Sequence, residues 1–131
     1  MILESIYEPT FQSTSHGFRP GKSCHTALSQ IQKTFTGVSW FVEGDIKGCF
    51  DNIDHHILVN ILKRRIKDEA FIDLIWKLLR AGYLEDWMKH QTYSGTPQGS
   101  GVSPLLANIY MNELDLFMEK LRAQFGKGDK R

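Results

Sequence analysis

Two neighbouring segments carry apolar residues at helical spacing, and this pattern constrains the fold more than any other feature of the chain. Apolar side chains three and four residues apart form one face of an α-helix, and that face has to be buried. The pattern predicts one helix from the region of residues 51–54 to about residue 67 and another over about 69–81. Their predicted inward residues are Ile57, Leu58, Ile61 and Leu62, then Phe71, Leu74, Ile75, Leu78 and Leu79.

Three further segments are also predicted to be helical. Residues 1–8 suit the end of a helix, and residues 23–35 form a helix that Gly37 ends. In the last of the three, Ser103 and Pro104 form a strong helix opening, with Ser at the N-cap and Pro at the first helical position. That helix is expected to fade by Phe125.

The segment 39–46 alternates in a way that predicts a β-strand, with Asp45 delivered at its carboxyl end. Residues 82–95 are predicted to be extended with a turn. The expected fold class is therefore α+β, with helices packed on a small antiparallel sheet. An incomplete sheet would leave an exposed edge, through which self-association is expected.

Composition excludes several classes of protein. The chain has 131 residues, 41% of them hydrophobic, and a net charge of +1. These values suit a single globular domain and give no sign of disorder. No apolar run is long enough to cross a bilayer, and the first residues do not resemble a signal peptide. Cys24 and Cys49 form no CxxC pair, so free thiols are expected and a structural zinc site is not.

Residues 40–58, WFVEGDIKGCFDNIDHHIL, carry the first chemical signal. An isolated Asp at a strand end is usually a turn or cap residue. Here, however, the string resembles the first catalytic block of group II intron reverse transcriptases. The resemblance implies that Asp45 ligates catalytic Mg²⁺, that the backbone of Ile46 contacts the incoming nucleotide, and that Phe50 is the steric gate against a ribose 2′-hydroxyl. Asp51 and Asp54 are assigned to helix capping, and His55 and His56 to a helix surface.

Residues 96–115, TPQGSGVSPLLANIYMNELD, resemble a second block of the same family. The resemblance implies that Gln98 lies beside the incoming dNTP and the template base. It also implies that Pro97 and Gly99 shape the loop and that Asn108 lies on the supporting helix. The family more often has two glycines after the Gln, whereas this chain has Gly99-Ser100-Gly101.

Residues 15–28, SHGFRPGKSCHTAL, resemble a third block, at the junction of fingers and palm. Gly21-Lys22-Ser23 is not a P-loop, because only three residues separate Gly17 from Gly21 and no apolar strand precedes them. The resemblance implies template or primer contacts nearby. Arg19 and Lys22 are candidates to bind phosphates. The alternative, that they hold the loop through bonds to backbone carbonyls, is equally open.

Together the blocks imply one partial fingers and palm domain over residues 1–131, without the amino-terminal fingers blocks, the Tyr-x-Asp-Asp hairpin or the thumb. The implied function is RNA-directed DNA polymerisation by two-metal nucleotidyl transfer. Its implied partners are an RNA template, a DNA primer, dNTPs and, in the full-length protein, intron RNA, with no membrane partner. The expected compartment is the bacterial cytoplasm, or an organelle. Because Asp45 alone cannot hold two Mg²⁺ ions, the isolated chain is expected to be inactive.

Two other functions are compatible with these residues. One is a non-enzymatic, maturase-like remnant that binds RNA. The other is an unrelated metal-dependent hydrolase that uses Asp45, Asp51, Asp54 and His55. The basic cluster at residues 63–67 is explained most simply as a solvated helix end whose charge suits the helix dipole, and RNA contact is the less favoured interpretation.

Overall fold

The computed structural model describes residues 2–49, 52–80 and 102–125. In this part of the chain the ordered elements are helices: α1 (Ile2–Tyr7), a short 3₁₀ helix (Glu8–Thr10), α2 (Cys24–Thr34), α3 (His55–Arg65), α4 (Glu69–Arg80) and α5 (Val102–Phe125). The residues divide into two compact units. The first comprises Met1–Gly44 with Met111–Arg131, and the second comprises Asp45–Tyr110.

The second unit contains most of the buried apolar residues. Helices α3 and α4 pack against each other, as the periodicity predicts, since each would otherwise expose its apolar face to water. The first half of α5 adds further buried residues to the same unit. The core side chains of these three helices are Leu58, Val59, Ile61, Leu62, Ile72, Ile75, Leu79, Leu105, Leu106, Ala107 and Ile109.

Two of the predicted inward residues are in fact half-exposed, Ile57 on α3 and Leu74 on α4. Val59 and Ile72 are buried instead. Both errors have the same cause. A broad apolar stripe allows a helix to be rotated about its axis in several ways, and packing against neighbouring helices selects one of these orientations.

The first unit has a smaller buried set, formed by Leu3, Tyr7 and Phe11. Helix α2 begins where predicted. Ser23 is its N-cap and forms a reciprocal capping box with Thr26. None of the residues of α2 is buried, so the apolar face that the sequence predicts for it, which includes Leu28 and Ile31, lies largely exposed.

The predicted α+β class is wrong for the described residues, which contain helices and no strand or sheet. Residues 39–46 are not helical, but they do not form a strand either, because they pair with no neighbouring segment among the described residues. Trp40 and Val42 in this segment are 90% and 99% exposed. Alternation alone does not make a strand, because its N–H and C=O groups need a partner strand. Without a sheet here, self-association through a sheet edge loses its basis. Residues 82–95 lie outside the described residues.

Helix α5 begins at Val102, so Ser103 lies inside the first turn and is not the N-cap. Ser103 is fully buried. Pro104 still lies in the first turn, where its missing N–H has no helical partner to lose. The helix ends at Phe125, as predicted. None of the helices in the described ranges combines the length and apolarity needed to cross a membrane.

Candidate functional site

Asp45 lies near the end of the unpaired segment and is exposed. Ile46, which follows it, is half-exposed. Residues 47–49 then form a turn in which Gly48 has φ = 60°, a left-handed conformation that suits glycine because it has no Cβ. One residue, Ile46, therefore separates the predicted metal ligand from a turn.

Asn52, which follows this turn in the sequence, holds it in place by hydrogen bonds. Its side-chain amide donates to the carbonyl oxygens of Lys47 (3.2 Å) and Gly48 (2.9 Å). Its backbone N–H also donates to the Gly48 carbonyl, at 3.1 Å. Three bonds from one residue fix the turn relative to the chain that leads into α3.

Asp54 is the N-cap of α3, which confirms its assignment to capping. Its Oδ1 accepts from the backbone N–H groups of His56 (2.8 Å) and Ile57 (3.0 Å). The hydrogen bond from Ile57 is the main cause that lowers the pKa of this carboxyl, and His56 adds to the effect. His56 is exposed, and its ring contacts the edge of Trp76 on α4, as expected for a helix-surface residue.

Asp45 is the residue that the resemblance predicts to ligate a metal ion. Among the described residues, no three His, Cys, Asp or Glu side chains come together in a way that would hold a metal ion. The described residues therefore do not form a complete metal site by themselves, and the role of Asp45 as a ligand of Mg²⁺ stays a prediction. The same finding weakens the hydrolase hypothesis, since its members Asp45, Asp54 and His55 do not form such a group.

Arg19 lies at the centre of the loop between α1 and α2. Its Nη2 lies 2.9 Å and its Nε 3.0 Å from Oε1 of Glu8, while Nη1 donates to the carbonyls of Gln12 and Ser15, each at 2.7 Å. The guanidinium carbon also lies 5.4 Å from the centre of the Phe11 ring. The Arg19 side chain is only 8% exposed. These contacts hold the loop together, and a phosphate contact by Arg19 stays a prediction.

Lys22 follows a tight turn. Its N–H donates to the Arg19 carbonyl at 3.2 Å, with Pro20 and Gly21 between them. Gly21 has φ = 69°, and Pro followed by Gly is the pair that a type II turn favours. The turn sets Lys22 immediately before the N-cap of α2, on the first unit.

Phe50, Gln98 and Gly99, with Asp51 and Pro97, lie outside the described residues. Asn108 does lie on α5, as predicted. Cys24 and Cys49 are free thiols, also as predicted.

Reasoning from sequence missed three residues that hold these segments in place: Asn52 at the turn after Asp45, and Glu8 and His16 in the loop before α2. Asn52 had a detectable signal, because an Asn shortly after a glycine turn often bonds back to the turn backbone. Glu8 and His16 had none: their partners are 11 residues away (Arg19) and 10 and 14 residues away (Thr26 and Gln30). Such contacts depend on how the loop folds.

Comparison with known proteins places these features in a family. The model for reverse transcriptase (RNA-dependent DNA polymerase) matches residues 1–125. Group II intron-encoded protein LtrA of Lactococcus lactis subsp. cremoris is 61% identical over 127 residues, which cover 97% of this chain and 21% of that protein. An uncharacterized 91 kDa protein in the cob intron of Schizosaccharomyces pombe is 54% identical (95% of this chain, 16% of that protein). A putative COX1/OXI3 intron 2 protein of Saccharomyces cerevisiae is 47% identical (98% and 15%). The chain therefore spans about a fifth or less of the length of these relatives.

Proposed function

Because the chain belongs to the reverse transcriptase family, in its group II intron-encoded branch, we propose that a polypeptide of its relatives' length that carries this segment copies RNA into DNA. Membership of the family implies nucleic-acid partners and a divalent metal. The finer proposal is an RNA template, a DNA primer, dNTPs and intron RNA as partners, with Mg²⁺ as the metal. A compartment in the bacterial cytoplasm, or alternatively in an organelle, is consistent with relatives from a bacterium and from introns of yeasts.

The observation that carries the proposal is the setting of Asp45. Its carboxylate is exposed and is followed by a turn that Asn52 fastens. Mg²⁺ prefers hard oxygen ligands and tolerates little deviation from octahedral geometry. The carboxylate of Asp45 is such a ligand, and the fastened turn limits the movement of the chain shortly after it. Asp45, together with ligands from elsewhere, would hold the metal, whose positive charge would stabilise the negative charge that develops during nucleotide transfer.

The other site residues are proposed in the roles that the family implies. The backbone of Ile46 and the side chain of Gln98, with Gly99 beside it, would contact the incoming nucleotide. Phe50 would occupy the space of a ribose 2′-hydroxyl, because a rigid aromatic ring cannot yield to an extra oxygen. Lys22 and Arg19 would contact phosphates of the nucleic-acid backbone.

The test is primer extension on an RNA template by the longer polypeptide. Asp45→Asn should lower synthesis by roughly a thousandfold, since a lost metal ligand removes several kcal/mol of transition-state stabilisation. Glu43→Gln is the matched control, because Glu43 is an exposed carboxylate two residues earlier on the same segment. Equal synthesis by the two variants would remove Asp45 from its role.

Two further results separate this proposal from its alternatives. Phe50→Val should admit ribonucleotides, and unchanged discrimination between dNTPs and rNTPs would refute the gate. Residues 1–131 alone should give no templated product, because the sequence contains no Asp-Asp pair. A longer polypeptide that binds intron RNA and never extends a primer would instead identify a maturase-like RNA-binding protein.

A further inference from the structure

Asn52 lies in the second unit, between the turn that follows Asp45 and the start of α3. Its place in the chain is fixed from the side of the helix, because the next residue, Ile53, is buried and Asp54 caps α3 by accepting from two backbone N–H groups. The Asn52 side chain is exposed, so it adds little to the core. Asn52 therefore links the packed part of this unit to the turn without being part of the packing itself.

The link depends on hydrogen-bond donors in the Asn52 side chain. Its Nδ2 donates to the carbonyl oxygens of Lys47 and Gly48, and a carbonyl oxygen can only accept. A neutral amide suits this place, because its two N–H groups can serve one carbonyl each. A carboxylate of the same shape would place acceptor against acceptor. The backbone N–H of Asn52 makes a third bond, to Gly48, which a change of side chain would leave in place.

Among the described residues, these are the hydrogen bonds that come nearest to Asp45 along the chain. Asp45 itself is exposed, and the segment that leads to it pairs with no other described segment. Ordering a free backbone costs conformational entropy, which a ligand that binds there has to offset. Since the carbonyl of Lys47 is held two residues after Asp45, less of this cost is left for metal binding, and groups that orient a metal ligand in this way affect both affinity and rate.

We propose that Asn52 is a positioning residue for nucleotide transfer. It acts through the backbone of Lys47 and Gly48, and so on the placement of Asp45 and Ile46, without itself touching the metal or the nucleotide. The inference rests on the proposed function and deepens it, since the resemblance to the family assigns no role to Asn52. A small displacement of a reacting group is enough to slow a reaction severely, which is why a clamp outside the site affects the rate.

The first test is the rate of single-nucleotide addition by the longer polypeptide, measured over a range of Mg²⁺ concentrations. Asn52→Ala should lower this rate about tenfold and raise the Mg²⁺ concentration for half-maximal rate several-fold. A residue that only stabilised the fold would instead reduce the fraction of active protein, seen as a smaller reaction amplitude, and would leave the Mg²⁺ dependence unchanged. The matched control is Asn60→Ala, which removes an exposed amide from α3 and should change neither quantity.

Asn52→Asp separates hydrogen bonding from shape and charge. Aspartate has the size of asparagine but, when ionised, has no donor for the two carbonyls, so synthesis should fall below that of Asn52→Ala. The added negative charge would by itself attract Mg²⁺ and so favour the opposite result. If Asn52→Asp synthesises as well as the unchanged polypeptide, donation by the amide is not needed and the proposal is wrong.

The second test needs neither metal nor synthesis. Trypsin cleaves after lysine, and cleavage between Lys47 and Gly48 requires this backbone to leave the turn, in which Gly48 has φ = 60°. Limited proteolysis of the longer polypeptide, followed by mass spectrometry, should show cleavage after Lys47 about tenfold faster in Asn52→Ala, since cleavage of a transiently opened segment follows the population of the open form. Cleavage after Lys22, in the first unit, is the internal control and should not change.

The two tests together separate this proposal from the preceding one. Unchanged cleavage after Lys47 would show that the amide does not hold the turn, and faster cleavage with unchanged synthesis would show that the turn does not position Asp45. Either result overturns the role of Asn52, while synthesis that still depends on Asp45 would leave the proposed function standing. A longer polypeptide that gives no product even with Asn52 in place would refute the proposed function, and the trypsin result would then show only that the turn is held.

Discussion

The substitution Arg19→Ala should destabilise the first unit strongly, although Arg19 lies in a loop. It removes the pair of contacts to Glu8 Oε1, both charge-assisted bonds to the carbonyls of Gln12 and Ser15, and the packing on Phe11. A hydrogen bond from a charged group is worth about 1.5–3 kcal/mol. Breaking a fully buried ion pair costs about 3–5 kcal/mol.

The full cost is not expected here, because the Glu8 side chain is 27% exposed and water would hydrate it and the freed carbonyls in part. We therefore expect a loss of about 3 kcal/mol in the free energy of unfolding. For a chain of this size that corresponds to a fall in melting temperature of roughly 10 °C. Urea unfolding followed by circular dichroism measures the first quantity, and thermal unfolding the second.

Two further variants make the reasoning refutable. Arg19→Lys keeps a positive charge opposite Glu8 but lacks the planar fork that reaches both carbonyls, so about half of the loss should remain. Lys33→Ala removes a positive charge from an exposed position and should change stability by no more than about 0.5 kcal/mol. If Arg19→Ala is no more damaging than Lys33→Ala, the guanidinium does not hold the loop, and its assignment to nucleic-acid binding gains ground.

The remaining predictions concern the core and two carboxyl groups. Leu62→Ala, at a fully buried position on α3, should cost about 2–5 kcal/mol, whereas Leu74→Ala, at a half-exposed position on α4, should cost much less; similar losses in urea unfolding would contradict the observed helix rotation. Asp54→Ala should lower the melting temperature at neutral pH. Because the folded-state pKa of Asp54 is lowered, its stabilisation is present above the unfolded-state value of 3.8 and disappears as pH falls through the folded-state pKa, so the two proteins should converge in acid. Asp115 is the opposite case, since burial raises its pKa. Folding disfavours its ionised form, so Asp115→Asn should raise the melting temperature at neutral pH and have less effect below pH 3.8. A lower melting temperature at neutral pH would instead show that the ionised carboxylate stabilises the fold.

Local signals in the sequence predicted much of the helical structure. Ser23 and Asp54 carry capping information within three residues of themselves, and the helices that follow them begin as predicted. The pairing of α3 with α4 follows from two adjoining apolar stripes. Signals of this kind involve residues that are close together in the sequence, so they predict a helix without knowledge of the tertiary structure.

The errors concern information that is not local. The alternation around Val42 is real, but a strand exists only when another segment pairs with it. The rotations of α3 and α4, which expose Ile57 and Leu74, depend on what each helix packs against. In the candidate site, sequence likeness predicted roles for Asp45, Arg19 and Lys22, and those roles stay predictions. It did not predict the Glu8–Arg19 pair, because contact between residues 11 positions apart depends on the path of the loop.

The fastening of residues 47–48 by Asn52 has a consequence for the evolution of this segment. The amide reaches the Lys47 and Gly48 carbonyls only at the present sequence separation. A one-residue insertion or deletion anywhere between Gly48 and Asn52 would carry the amide out of reach and release the residues that follow Asp45. The side chains of residues 49–51 can therefore vary, whereas the number of residues between Gly48 and Asn52 cannot. Homologous chains should show substitutions in this stretch but no gaps.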